Sequence, residues 1–289
     1  VTKNKKESRI AKEVNTKMSG VVVLPTNLDV SLIANSDKVE YNGLVLDKLI
    51  GKVGISKGRL YLENTTFNII DCNVRIDAAY DDESPMAANF DARFQAKDFN
   101  VKRAYNEIPL FHELVTAAEK AEGIISVDYT LKGDLDGNMS PIYASLNGGG
   151  VVSIRDVKIS GLKMFGSISK KTGQDGLNNP NMKDIRIKTK IENNLIRIEP
   201  FSFKIVGFKP TIKGTTSFDG LLDIRVRLGL PPGGLVGIPI VVTGTHEDPK
   251  IKVFSKTGQV IEEAKYNTKT NKVIEEEKRA EPEPDKKKA

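Results

Sequence analysis

Cys72-Asn73-Val74-Arg75-Ile76-Asp77-Ala78-Ala79-Tyr80 puts an apolar side chain at every second position, and Phe90-Asp91-Ala92-Arg93-Phe94-Gln95-Ala96 does the same. A period of two is that of a β-strand, whose successive side chains point to opposite faces. The pattern returns in Ile185-Arg186-Ile187-Lys188-Thr189-Lys190-Ile191 and in Leu222-Asp223-Ile224-Arg225-Val226-Arg227-Leu228. Strands with one apolar and one charged face belong to antiparallel sheets wetted on one side, because parallel strands buried on both faces read as continuous apolar runs. Most of residues 20–255 therefore reads as strand. The fold class expected is mostly β: a long curved antiparallel sheet shaped as a groove, with a few short capping helices and a disordered C-terminal tail.

Lys57-Gly58 and Asn193-Asn194 each separate two alternating runs and supply residues that tolerate positive φ, so each predicts a tight hairpin. Aligning the two turns exposes an internal repeat. Ile55, Leu60, Leu62, Phe67, Ile69 and Ile76 match Ile191, Ile196, Ile198, Phe203, Ile205 and Ile212, each 196 − 60 = 136 positions apart. Two related hairpin units are thus expected, at about 50–80 and 186–216, inside a β-groove domain spanning 18–260.

Helices are few. Pro109 opens one expected to run to about Glu122, with Phe111, Leu114, Val115 and Ala118 on one stripe and Gly123 as its stop. Ser140-Pro141 opens a second, ended near Gly148, with Ser140 as cap. Leu162 to Thr172 reads as a third, presenting Leu162, Phe165 and Ile168 to the sheet.

The chain of 289 residues carries 44 Lys and Arg against 38 Asp and Glu, a net +6. Six basic and two acidic residues in 1–17 account for +4 of it, and eight of each sign cancel in 262–289, which leaves 6 − 4 = +2 for the body. Nucleic acid is therefore not an expected partner. Segment 1–17 reads as a basic linker, and 261–289, rich in Glu, Lys and Pro, as a disordered charged tail. Leu228 to Thr245 carries no charge, but Pro231, Pro232 and Pro239 exclude a membrane-spanning helix.

The search for catalytic chemistry yields little. His112-Glu113-Leu114-Val115-Thr116 begins like a helical zinc motif but has Thr116 where the second ligand belongs. His246-Glu247-Asp248-Pro249 reads as a turn. Gly148-Gly149-Gly150 lacks the Lys-Ser/Thr of a phosphate loop and reads as a helix terminator leading tightly into a strand. Cys72, the single cysteine, lies in the apolar register of its strand and reads as an inert buried thiol. No enzyme, cofactor or metal is expected.

A long sheet with an apolar face must cover that face with a second sheet, helices or a ligand. Two solutions stay open: a trough holding acyl chains, and a closed sandwich without ligand. For the trough, the candidate lining is Leu60, Leu62, Phe67, Ile69, Val74, Ile76, Ile196, Ile198, Phe201, Phe203 and Ile205.

Gly237-Ile238-Pro239-Ile240-Val241-Val242-Thr243-Gly244-Thr245, followed by Asp248-Pro249-Lys250-Ile251, resembles the terminal strand and turn of the AsmA-like proteins of the Gram-negative envelope. The stretch from Leu146-Asn147-Gly148-Gly149-Gly150 through Ser160-Gly161-Leu162 is similar to another segment of that family's C-terminal region, and Tyr129-Thr130-Leu131-Lys132-Gly133 also fits. The resemblance spans roughly 20–255. It implies a periplasmic β-groove tethered to the inner membrane by an N-terminal anchor, with roles in outer-membrane assembly and phospholipid transport. Its implied partners are phospholipid or another acyl-chain lipid, the inner membrane and envelope proteins, and it brings no catalytic residues. The chain starts at Val1 rather than Met, so the anchor is expected to precede it, with 1–17 as the region just after. The alternative function is a protein-binding envelope scaffold with a closed β core and no lipid.

Overall fold

The computed structural model describes residues 20–41, 43–205, 207–231, 233–254, 260–261, 264–267 and 272–275. Segment 1–17, expected to be a linker, lies outside them, as does most of the expected tail. The chain is mostly β, and its strands pair antiparallel in chain order: β1 (Asp29–Tyr41), β2 (Leu44–Ser56), β3 (Arg59–Ile69), β4 (Cys72–Ser84), β5 (Ala87–Asn100), β6 (Ala121–Leu135), β7 (Asn147–Ile159), β8 (Asn181–Glu192), β9 (Leu195–Ser202), β10 (Lys209–Ser217), β11 (Leu221–Gly229), β12 (Gly237–Thr245), β13 (Pro249–Phe254) and β14 (Val260–Ile261). Each alternating run quoted above lies within one of these strands. Within the tail, β15 (Ala264–Asn267) pairs with β16 (Lys272–Glu275).

Both expected tight turns have the backbone that a two-residue hairpin demands. Lys57 and Gly58 have φ of 52° and 77°, and Asn193 and Asn194 have 51° and 65°. Positive φ at both central residues matches the right-handed twist of the flanking strands. The repeat offset of 136 extends to backbone pairing. Ile69 pairs with Cys72 across the Ile70-Asp71 turn, and Ile205 pairs with Phe208 across the equivalent turn. Phe67 pairs with Val74, and the Phe203 amide donates to the carbonyl of Pro210, again 136 residues on.

The helical segments differ from expectation in instructive ways. A helix not foreseen, α1 (Val101–Glu107), is capped by the Asn100 side chain, which accepts from the Arg103 amide at 3.0 Å. It ends because Ile108 precedes a proline and is held extended. Pro109 then opens α2 (Pro109–Leu114), which stops eight residues short of Glu122. Val115 and Thr116, both branched at Cβ, disfavour a further turn; a 3₁₀ turn over Thr116–Lys120 follows, and β6 has begun before Gly123. No helix forms at Ser140. Asp136 Oδ1 accepts from the amides of Asn138 and Ser140 at 2.8 and 2.9 Å, Pro141 bridges Leu135, and only a 3₁₀ turn, Tyr143–Ser145, precedes β7. The side-chain turn at Asp136 takes the donors that a helix start would have used. The third expected helix is present as α3 (Lys163–Thr172), with Phe165 and Ile168 buried and Gly173 in the left-handed conformation as its C-cap.

Gly148-Gly149-Gly150 lies inside β7, not after a helix. A Cβ on Gly148 or Gly150 would run into the carbonyl oxygen of Thr130 or Asp128 in β6, and one on Gly149 into that of Thr189 in β8. The triplet lets neighbouring backbones approach closely.

The chain divides into two compact units. The first holds residues up to Phe99 with Ser126–Val152 and Lys188–Ile196; the second holds Asn100–Ile125, Ser153–Ile187 and the chain from Arg197 on.

Candidate functional site: an apolar sheet face in the first unit

In the first unit, register aligns apolar side chains in rows across β2 to β5. Ile55, Leu60, Tyr80 and Phe90 form one row, and Val53, Leu62, Ala78 and Ala92 the next. An irregularity between Leu62 and Thr65 resets β3 so that Phe67 and Ile69 stay on the same face, where Phe67 meets Val74 and Ala96, and Ile76 meets Phe94. Phe94 stacks on Tyr129 of β6 with ring centroids 6.0 Å apart, and the Tyr129 hydroxyl hydrogen-bonds Thr189 of β8. Burial pushes the Tyr129 phenol up.

Leu60, Leu62, Phe67, Val74, Ile76 and Ile196 are half-buried, whereas Ile69 is buried. Half-burial of so many large apolar side chains is the mark of a face that its own chain only partly covers. The opposite face is polar and neutralised by its own residues. Lys52 pairs with Glu63 at 2.8 Å, Arg59 with Asp81 at 3.4 Å and Arg93 with Asp128 at 3.8 Å, while the Asn64 amide donates to Asp77 at 2.6 Å. Exposed pairs of this kind add little stability each, but cross-strand complementarity holds the register that keeps the apolar residues on one side.

One end of the apolar face is covered by the segment from Gly20 to Leu24, which the sequence reading did not single out. Val21 packs with Ala88 and Leu135 against Tyr80 and Phe90. The Tyr80 hydroxyl donates to the Val22 carbonyl at 2.9 Å, and the Leu24 amide donates to Asp82 at 3.2 Å. The signal was the run Val21-Val22-Val23-Leu24 closed by Pro25. Phe90, Phe94 and Tyr129 were likewise absent from the candidate lining, although Phe90 and Phe94 stand in alternating register.

The second unit treats its matching residues differently. Phe165 and Ile168 of α3, with Leu177, close over Phe203, Ile205, Pro210, Ile212, Val226 and Leu228 and leave a cavity of about 20 Å³. That space admits a water molecule and excludes an acyl chain. Phe203 and Ile205 thus belong to a helix-covered core, where Phe203 stacks 6.2 Å from the half-buried Phe201. Ile198 is also half-buried. The candidate lining therefore falls into a mostly half-buried set in the first unit and a set in the second that is partly sealed.

The titratable candidates are engaged locally. His112 stacks on Tyr105 at 4.2 Å, with Nδ1 3.3 Å from the Tyr105 carbonyl, and His246 lies 3.3 Å from the Glu247 carboxylate. Cys72 is 2% exposed, its thiol donates to the Lys97 carbonyl at 3.3 Å, and burial pushes its pKa up.

No family model, curated protein or solved structure matches the chain.

Proposed function

We propose that this chain is a non-enzymatic periplasmic protein of the Gram-negative envelope whose first unit shelters lipid acyl chains, contributing to phospholipid transport and outer-membrane assembly. The observation that carries the reading is the half-buried apolar face of β2 to β5, backed by a self-neutralised polar face. An acyl chain laid along Leu60, Leu62, Phe67, Val74 and Ile76 exchanges water-exposed hydrocarbon for contact with hydrocarbon, worth about 25 cal/mol for each Å² removed from water. The resemblance to AsmA-like proteins supports the compartment and an inner-membrane tether in the full-length protein.

The test is native mass spectrometry with lipid extraction on protein purified from a Gram-negative periplasm without detergent. Bound phospholipid is expected, and Leu62→Asp with Ile76→Asp should abolish it while circular dichroism stays unchanged. Wild-type protein that remains empty even after incubation with phospholipid vesicles sinks the proposal.

A second reading, a protein-binding scaffold without lipid, draws on the sealed core beneath α3. It gains if the wild-type chain is empty yet retains envelope proteins through crosslinking.

A further inference from the structure

The solvent face of β10 to β13, in the second unit, carries a positive charge that is largely uncompensated among the described residues. Lys209, Lys213, Arg225, Arg227, Lys250 and Lys252 all point to that face and are exposed, against the single carboxylate of Asp223. Register makes the concentration explicit. Lys213 lies directly opposite Arg225, and Arg225 is separated from Lys252 only by Val241. Like charges opposite one another destabilise a sheet. Among the described residues, Lys213, Arg225, Lys250 and Lys252 make no ion pair, whereas the polar face of the first unit pairs Lys52, Arg59 and Arg93 with acids.

At the rim of the same face, an apolar tip is held out to solvent. The loop joining β11 to β12 leaves Leu235 89% and Val236 47% exposed. It is pinned: the Leu230 amide donates to Val236, the Gly234 amide to Leu230, and the Arg227 guanidinium to the carbonyls of Gly234 and Leu235 at 2.9 and 2.5 Å. Because Arg227 reaches the loop from the basic face, the loop curls toward that side.

We infer that this face docks on an anionic lipid bilayer, the cations meeting headgroup phosphates while Leu235 and Val236 enter the acyl boundary. A basic surface with an exposed apolar insert is the pairing that an anionic membrane interface selects. A nucleic-acid strand would take the charge but not the insert, and among the outward positions of β10 to β13 only the half-buried Phe254, at the end of β13, carries an aromatic ring, too little for a stacking platform. The inference stands apart from the acyl-chain reading, since none of these residues lies on the apolar face of the first unit.

Flotation of the full chain with vesicles tests it. Binding is expected to vesicles of phosphatidylcholine mixed with phosphatidylglycerol, not to phosphatidylcholine alone, and to weaken as salt rises. Each cation near the surface is worth roughly fivefold in affinity, so Lys213→Glu, Arg225→Glu and Lys252→Glu together should weaken binding on the order of a hundredfold or more. Leu235→Asn, which removes the apolar tip without adding charge, should weaken it at unchanged charge-driven salt dependence. Thermal melts check that these exposed substitutions leave the fold intact. Failure of the wild type to float, binding indifferent to the charge reversals, or a single-stranded oligonucleotide bound as well and indifferent to Leu235→Asn would each overturn the bilayer assignment.

Discussion

Cys72 sits where an ionised group is least welcome. At 2% exposure its thiol meets labelling reagents only when the sheet opens, so a disulfide reagent should react slowly with native protein and fast in denaturant. The sign of its effect on stability follows from burial. Both Cys72 and Tyr129 hold their protons more tightly folded than unfolded. As pH rises past the unfolded thiol's pKa of about 8.5, the unfolded chain releases protons that the folded chain retains. Their stabilisation is therefore complete below that pH and is lost as pH climbs through the folded values. Denaturant midpoints should fall in alkaline buffer, and Tyr129→Phe should flatten the upper part of that fall. The buried register of Cys72 was legible in its strand, because alternation is local; the stacking of Tyr129 on Phe94 was not, because it depends on which strands become neighbours.

At the scale of elements, the glycine triplet of β7 shows how a motif's meaning depends on its neighbours. Read alone, Gly148-Gly149-Gly150 suited a helix end, yet what it does is let the backbones of β6 and β8 approach β7 closely. Gly148→Ala should therefore destabilise by more than about 2 kcal/mol, measured by urea titration, since the added methyl meets a carbonyl oxygen rather than a flexible side chain. The turns were legible because two residues decide them. The helices between β5 and β6 were less so: the Asn100 cap that opens α1 went unread, and the stripe of Phe111, Leu114, Val115 and Ala118 made α2 and the 3₁₀ turn after it look like one helix. At Ser140 the decisive group was the Asp136 carboxylate, four residues upstream, whose competing turn no periodicity records.

Across the whole molecule, the 136-residue repeat places equivalent residues in unequal surroundings. Ile76 is half-buried in the first unit, whereas its counterpart Ile212 is 5% exposed beneath α3. Ile76→Asp should leave the fold standing, while Ile212→Asp, which buries a charge without a partner, should cost about 4 kcal/mol or more and collapse the thermal transition. Equal losses at both positions would mean that the first face is as closed as the second. The mostly β class was readable because each strand carries its own pattern. Which hairpin a helix would seal was not, because the Phe165 and Ile168 stripe shows that the helix has an apolar face but not which strands it meets.

Strand β1 stands at one end of the strand order, with Leu32 62% and Ile33 86% exposed. In the vocabulary of polymers, such a strand is an unterminated chain end. Its outward peptide groups, unpaired among the described residues, form a template that any extended segment can continue without a new nucleus. Growth by accretion at that rim would lengthen the sheet one strand at a time while leaving every existing row in register.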